Sequence, residues 1–357
     1  MKKLILSVLT VLTMLLVTSP VKANQLNFSV SPVIPENQAQ PKLSYFDLLM
    51  KAGEKQTVAV DLANSTDKKV TVNVSIANAT TNINGVVEYS PNKIKPDKSL
   101  KYQLEKLLKG PKQVILQPKS SQKVEFQVTM PAENFTGLIA GGLTFKQEES
   151  EVTANKSKAN GVTVNNDYQF VIGFLLQQKT DIVAPVLDLT AVKADLTDSR
   201  NSILANFENS AAGYLKNMTV SAKVTKKSAD KSLYSLTKSD MSMAPNSNFD
   251  LPMSLDKQRF EPGTYTYTAV VYGQKSADGQ YTYGKDANGQ PQHYAYRWTF
   301  SQDFTITGKQ AQALNAKDVS VSPDYSWIYW LIGLGLILLA LLLWFILWKR
   351  RKKDDEA

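Results

Sequence analysis

The feature that most constrains this chain is a run of 22 residues, Trp327 to Trp348, without a charged side chain. At ~1.5 Å rise per residue a helix of that length is about 33 Å long, enough to cross a hydrocarbon core of about 30 Å. Trp327, Tyr329 and Trp330 stand at one end and Trp344 and Trp348 at the other, the positions where aromatic rings meet the two interfaces. Lys349, Arg350, Arg351, Lys352 and Lys353 follow at once, and the positive-inside rule puts such a cluster in the cytoplasm. The expectation is one transmembrane helix over 327–348 with a short basic cytoplasmic tail over 349–357 and everything before it outside.

The N-terminus agrees. Lys2 and Lys3 precede an apolar run from Leu4 to Val17, then Ser19, Pro20 and the small residue Ala23. This is the layout of a secretory signal peptide, expected over 1–23 with cleavage after Ala23. The 357 residues carry a net charge of +9, but Lys2, Lys3 and Lys22 leave with the signal and the tail holds five positive and three negative charges. The exported part is left with only +4. The high pI therefore reflects topology, and no nucleic-acid partner is expected. There is no cysteine, hence no disulfide framework and no thiolate nucleophile. Leu251-Pro252-Met253-Ser254-Leu255 lacks the Thr-Gly of a wall-sorting signal and lies far upstream of the span. Anchoring is therefore expected to rest on membrane lipid alone.

Between signal and span the periodicity is mostly two. Val58, Val60 and Leu62 alternate with polar residues, as do Val70, Val72, Val74 and Ile76, with Asn64-Ser65-Thr66-Asp67 between them; this reads as an antiparallel hairpin. Val124, Phe126 and Val128 repeat the pattern. Leu100, Leu104, Leu107 and Leu108, after Asp97 and before Gly110, have the spacing of a short amphipathic helix. Leu138–Phe145 and Tyr168–Leu176 are continuously apolar and are expected to be neighbouring core strands joined by a polar loop over 147–166. The alternation restarts at Ile203, Ala205 and Phe207, continues through Met218–Val224 and Tyr265–Val271, and closes with Trp298, Phe300, Phe304 and Ile306. Regularly spaced short strands with little helix argue for all-β sandwiches. The expected architecture is two tandem immunoglobulin-like β-sandwich domains plus one C-terminal transmembrane α-helix, with the first sandwich over 24–182, the second over 183–308 and a polar stalk over 309–326.

Catalytic patterns are weak. The one histidine, His293, has no G-x-S-x-G elbow to serve and sits by a turn. Ser90–Lys93, Ser228–Lys231 and Ser235–Lys238 fit S-x-x-K without the S-D-N and K-T-G elements that give that motif meaning. Asp286-Ala287-Asn288-Gly289 starts like a calcium loop but lacks its later ligands and reads as a hairpin turn. No enzyme, cofactor or metal is expected. Tyr265, Tyr267, Tyr272, Tyr281, Tyr283, Tyr294 and Tyr296 crowd one segment, with Tyr281, Tyr283 and Tyr294 the candidates for a binding surface. Packing of a sheet face explains the same pattern, and periodicity does not separate the two.

Several segments carry a resemblance. Phe28–Gln38, Tyr45-Phe46-Asp47-Leu48, Thr80–Tyr89, Phe135–Gly142, Met243–Phe249, Pro262-Gly263-Thr264-Tyr265 and Trp298-Thr299-Phe300, with the span and its basic tail, resemble the WxL-interacting protein family of Gram-positive bacteria over nearly the whole length. Lys51-Ala52-Gly53 departs from it, where the family has Pro before Gly. The resemblance implies a peptidoglycan-binding first domain, a second domain that binds host extracellular proteins or other ligands, and WxL-domain surface proteins as partners. A wall-remodelling enzyme and an envelope sensor acting through a partner are the rival classes. For wall contact, Thr81, Asn82, Asn84 and Tyr89 are the candidates, since Asn can hydrogen-bond sugar hydroxyls and Tyr can stack on sugar rings. Turn support of the backbone explains Asn82 and Asn84 equally well.

Overall fold

A computed structural model describes residues 27–148, 168–321 and 326–354. The expected signal peptide over 1–23 and most of the 147–166 loop lie outside the described residues. The first domain is a sandwich of two sheets. One holds β1 (Phe28–Val33), β3 (Lys55–Asn64), β9 (Ser121–Thr129) and β7 (Leu108–Lys109) in the order β1-β3-β9-β7. The other holds β2 (Phe46–Leu49), β11 (Gln169–Gln177), β10 (Ile139–Gln147), β4 (Val70–Asn78) and β8 (Gln113–Leu116) in the order β2-β11-β10-β4-β8. Among the described strands of this domain only β2 and β11 run parallel. Alternate residues of both sheets, among them Val60, Leu62, Val72, Leu116, Phe126, Phe145 and Phe174, meet in one buried core.

The second domain repeats the plan with sheets β12-β13-β16 (Leu187–Thr197, Arg200–Asn209, Ser247–Ser254) and β15-β14-β17-β19-β18 (Ser232–Met243, Leu215–Lys226, Gly263–Lys275, Pro291–Ile306, Tyr281–Lys285). Its core gathers Ile203, Phe207, Val220, Val224, Tyr267 and Val271.

The expected hairpin over 58–76 does not form. β3 pairs with β1 and β9, whereas β4 pairs with β10 and β8 in the opposite sheet. Two strands facing one core from opposite sheets show the same period-two pattern as two paired strands, so alternation cannot tell them apart. What carries the chain across is the buried Asn64. Its amide donates to Lys68 O at 2.7 Å and Gln117 O at 2.9 Å, and its Oδ1 accepts Thr66 N at 2.8 Å.

The amphipathic helix is also shorter than its leucine spacing suggests: α1 is Leu104–Leu107 alone. Asp97 caps a separate turn, with Ser99 N on its Oδ1, and Gln103 rather than Asp97 precedes the helix. Leu108 is already strand and pairs with Val128.

β10 and β11 are antiparallel neighbours, Leu143 opposite Ile172 and Phe145 opposite Phe170. All of Ile139–Phe145 is buried because both faces of the strand are covered. One faces the sandwich core. The other meets Tyr89 at Gly142 and a small cluster of Ala79, Ala140, Leu175 and Ala244 with Tyr45, Val87 and Tyr214.

The first part of the expected stalk is folded. Thr307 caps α2 (Gly308–Asn315), accepting Gln310 N at 3.2 Å, and Ala311 and Leu314 pack on the second core. Asn315 bonds Phe260 N and O, Asp318 accepts Asn201 N at 2.7 Å, and Val319 N reaches Ser199 O. α3 (Ser326–Asp354) contains an apolar window, Ile328–Phe345, with no residue buried against the rest of the chain. Trp330 and Trp344 are exposed on it. The side chains of Trp327, Trp348, Lys349, Arg350 and Arg351 lie outside the described residues.

Candidate functional site

The two sandwiches meet along a seam, and a tongue from the first domain builds much of it. β5 (Thr80–Thr81) and β6 (Val87–Glu88) form a two-stranded ribbon closed by a turn over 82–86. Asn82 Oδ1 accepts Asn84 N at 2.9 Å and Val86 N at 3.1 Å, which fixes the turn. Gly85 occupies the left-handed region at φ +70°, and a Cβ there would lie 2.6 Å from Met241 Cγ. Its carbonyl accepts Ser242 N at 2.7 Å, so the tongue tip is stitched to β15.

Behind the tip, Thr81 is 1% exposed. Its Oγ1 accepts Ala244 N at 3.0 Å and lies 2.7 Å from Ser247 Oγ, which itself donates to Ala244 O at 2.8 Å. With the Ser247 proton on that carbonyl, the Thr81 hydroxyl must donate to Ser247. The three groups thus close a ring of hydrogen bonds across the domain boundary, and none is left unpaired. At the base of the tongue Tyr89 OH meets Tyr214 OH at 3.0 Å. Burial raises the pKa of both phenols, Tyr214 well above its ordinary value, so the pair stays protonated at neutral pH.

A second strip of the seam is polar. Asp97 accepts Ser99 N and Oγ on Oδ1 and the Asn248 amide on Oδ2. Burial alone would raise its pKa. The bonds from Ser99 and Asn248, with the charge of Lys98, outweigh that and hold the carboxyl below its ordinary value. Asn246 donates to Ser210 O at 2.8 Å and Ser99 Oγ at 3.3 Å, and Lys98 reaches Glu208 at 3.3 Å. Leu138 N bonds Ala212 O at 2.8 Å beside Gly137, where a Cβ would lie 2.4 Å from that same carbonyl oxygen. Between the strips opens a cleft of about 220 Å³, lined on the first-domain side by residues 76–80, 90–92, 94–97, Leu100 and Glu105 and on the second-domain side by Asn246, Ser247 and Asn248.

The wall-contact candidates are thereby brought together, but on the seam. Thr81 and Tyr89 are given to the second domain. Asn82 supports its own turn and holds Glu88 at 2.7 Å, and Asn84 is 3.4 Å from Lys238 Nζ. The tyrosine candidates of the second domain sit elsewhere, on the β18–β19 hairpin. Tyr294 is 1% exposed, its OH on Gln292 Oε1 at 3.0 Å and near Thr219 at 3.2 Å. Tyr283 stacks on Tyr272, centroids 4.7 Å apart and planes 18° apart, and Tyr281 lies half-buried opposite Tyr294. Asp286 Oδ1 takes Asn288 N and Gln290 N in the hairpin turn, as the Asn-Gly signal implied. His293 pairs with Thr282 nearby. Reading the sequence alone misses Ser99, Tyr214, Glu208, Asn246 and Asn248, and takes Asp97 for a helix cap. The only pointer was that 243–249 belongs to the resemblance-bearing segments. Three of those segments, 80–89, 135–142 and 243–249, fold together into this seam. Among the described residues no group of three or more His, Asp or Glu could hold a metal ion.

Two family models match consecutive stretches of the chain, the second starting upstream of β11, a strand of the first sandwich. The family model of the WxL Interacting Protein peptidoglycan binding domain matches residues 28–147, and that of the WxL Interacting Protein host binding domain matches 159–316. No curated protein matches over its sequence. Similar solved structures include a chaperone–tip adhesin complex of CFA/I fimbriae, 10% identical with 70% of this chain and 94% of that chain covered at a TM-score of 0.28. The class 5 fimbriae chaperone CfaA is 9% identical, with 78% and 100% covered at 0.26. A PapD-like domain of human CEP192 is 12% identical, with 46% and 95% covered at 0.26. Both domains of one architecture are matched in order and meet at the seam their shared segments build, and the chain belongs to the WxL-interacting protein family.

Proposed function

We propose that this chain is a membrane-anchored cell-surface adaptor. In this reading its first domain binds peptidoglycan, and its second binds a WxL-domain surface protein or a host extracellular protein. The observation that carries the proposal is the ordered pair of binding-domain family matches on one chain, followed by an apolar helix that no other described part of the chain covers. A surface-binding role follows from the matches, and the anchor gives it a place. An uncovered helix of 29 residues, about 43 Å long, suits a bilayer better than water. The five basic residues after Trp348 favour the tail inside.

Geometry adds what an adaptor needs. The seam holds the two domains at a set angle, so a load on one is passed to the other. Because the fold continues to Val319, the chain between there and Ser326 reaches at most about 23 Å at ~3.3 Å per residue. The second domain therefore stays beside the membrane.

The test is retention of the detergent-solubilised full chain by purified Gram-positive peptidoglycan, together with co-purification of surface proteins from intact cells. Retention no greater than that of an unrelated membrane-anchored sandwich would overturn the wall half. A purification that yields no WxL-domain or host protein would overturn the partner half.

A further inference from the structure

We infer that the seam cleft is a subsite for one N-acetylated sugar of a neutral glycan strand, completed by the second domain. This rests on the wall-binding reading above and names the part of the wall that is gripped and the atoms that grip it. The cleft, about 220 Å³, is below the ~300 Å³ at which drug-sized pockets begin, which suits one sugar unit rather than a chain of them.

Its polar groups are fixed in complementary senses. Asn78 Oδ1 accepts Leu104 N at 2.6 Å, which orients the amide and leaves Nδ2 as a donor without a partner among the described residues. Asn246 is the converse. Its Nδ2 is committed to Ser210 O and Ser99 Oγ, leaving Oδ1 as an acceptor. An acetamido group carries one acceptor and one donor on opposite sides of its planar amide, and it would engage the first domain through its carbonyl and the second through its N–H. Ile76, Ile94 and Leu100, all half-buried in the lining, offer apolar surface for its methyl. The amides are held by their own bonds before any ligand arrives, so little ordering has to accompany binding.

Charge argues against an anionic ligand. Asp97 is taken up by Ser99 and Asn248, and the exposed Lys95 and Glu105 on the rim are of opposite sign. An acidic stem peptide or an anionic polymer would find no net field to favour it, whereas an uncharged amide-bearing sugar matches a lining rich in asparagine.

The experiment uses the full chain in detergent and chitotriose, a neutral N-acetylglucosamine trimer, as probe, with peptidoglycan retention measured alongside. Asn78→Asp keeps the acceptor for Leu104 N–H and removes the donor; Ser90→Trp fills the lip of the cleft. The expected result is chitotriose binding weakened about tenfold by Asn78→Asp, as loss of one well-aligned hydrogen bond allows, and abolished by Ser90→Trp, both with unchanged melting temperatures. If wild type is retained by peptidoglycan but chitotriose binding is undetectable or unmoved by both variants, the cleft assignment is overturned and the wall-binding reading stands. If wild type is not retained at all, both are overturned.

Discussion

The tongue at 80–89 and the hairpin at 281–294 look alike in composition. Each is short, contains Asn, Gly and Tyr, and is turned by an Asx residue with a left-handed glycine, Gly85 at φ +70° and Gly289 at φ +78°. Their surroundings differ completely. A Cβ at Gly85 would strike Met241, and the tongue gives its hydroxyls and a carbonyl to the second domain. A Cβ at Gly289 meets nothing within 4 Å, and the hairpin's Tyr283 and Tyr294 rings pack on Tyr272. A polar, flexible-looking segment becomes an interface when another domain lies within its reach and remains a protruding tip when none does. Composition records the capacity to bind, and topology decides what is bound.

Matched glycine substitutions break the comparison most directly. Gly85→Ala forces both a left-handed Ala, ~1–2 kcal/mol, and a displaced Met241, ~1–3 kcal/mol more. Gly289→Ala incurs only the first. The full chain unfolded in urea should lose about 3 kcal/mol with the first variant and about 1 kcal/mol with the second. Equal losses would mean that the tongue tip is not pressed against β15. Next in size is Thr81→Val, which keeps shape but strands Ala244 N–H and disturbs Ser247. A buried donor left unmade costs about 1–3 kcal/mol. Thermal unfolding followed by calorimetry should show it, and should also show the two domains melting less cooperatively. A change below about 0.5 kcal/mol would remove the hydrogen-bond ring from the account.

Much of the fold is written in period-two alternation: Val58–Leu62, Val70–Val74, Ile203–Phe207 and Tyr265–Val271 are strands that bury the residues the pattern marks. Their partners are not written there. Asn64 looked like one residue of a hairpin turn and is the buried tie that carries the chain between sheets, because a side chain satisfying Lys68 O and Gln117 O needs residues 53 positions apart to meet. The continuous apolar content of 139–145 did announce burial on both faces, though not that Tyr89 and Ala244 supply the second cover. The site was less legible. Thr81 and Tyr89 stood out for chemistry they could offer to sugars and turned out to offer it to Ser247 and Tyr214. Asp97 drew notice as a helix cap, and its tie to Asn248, 151 residues away, follows from no local rule.

The smallest effect expected is also the one that separates seam from tip by charge. Asp97 is held below its ordinary value of 3.8 by Ser99, Asn248 and Lys98 against the opposing push of burial. A carboxyl whose folded pKa is depressed adds stability that is fully present above its unfolded value and is lost as pH falls through the folded one. Asp97→Asn should therefore lower the melting temperature of the full chain at about pH 6, and the gap to wild type should close as pH drops from about 4 toward 2, where wild type too is protonated. Asp303 and Asp318 are also depressed, but they are shared by both proteins and cancel in the difference. Tyr281→Phe on the hairpin, whose hydroxyl has no partner among the described residues, should move the melting temperature little at any pH, within the ±0.5 kcal/mol usual for such sites. A wild type–D97N gap that stays constant down to pH 2 would show that the charge of Asp97 does not support the seam.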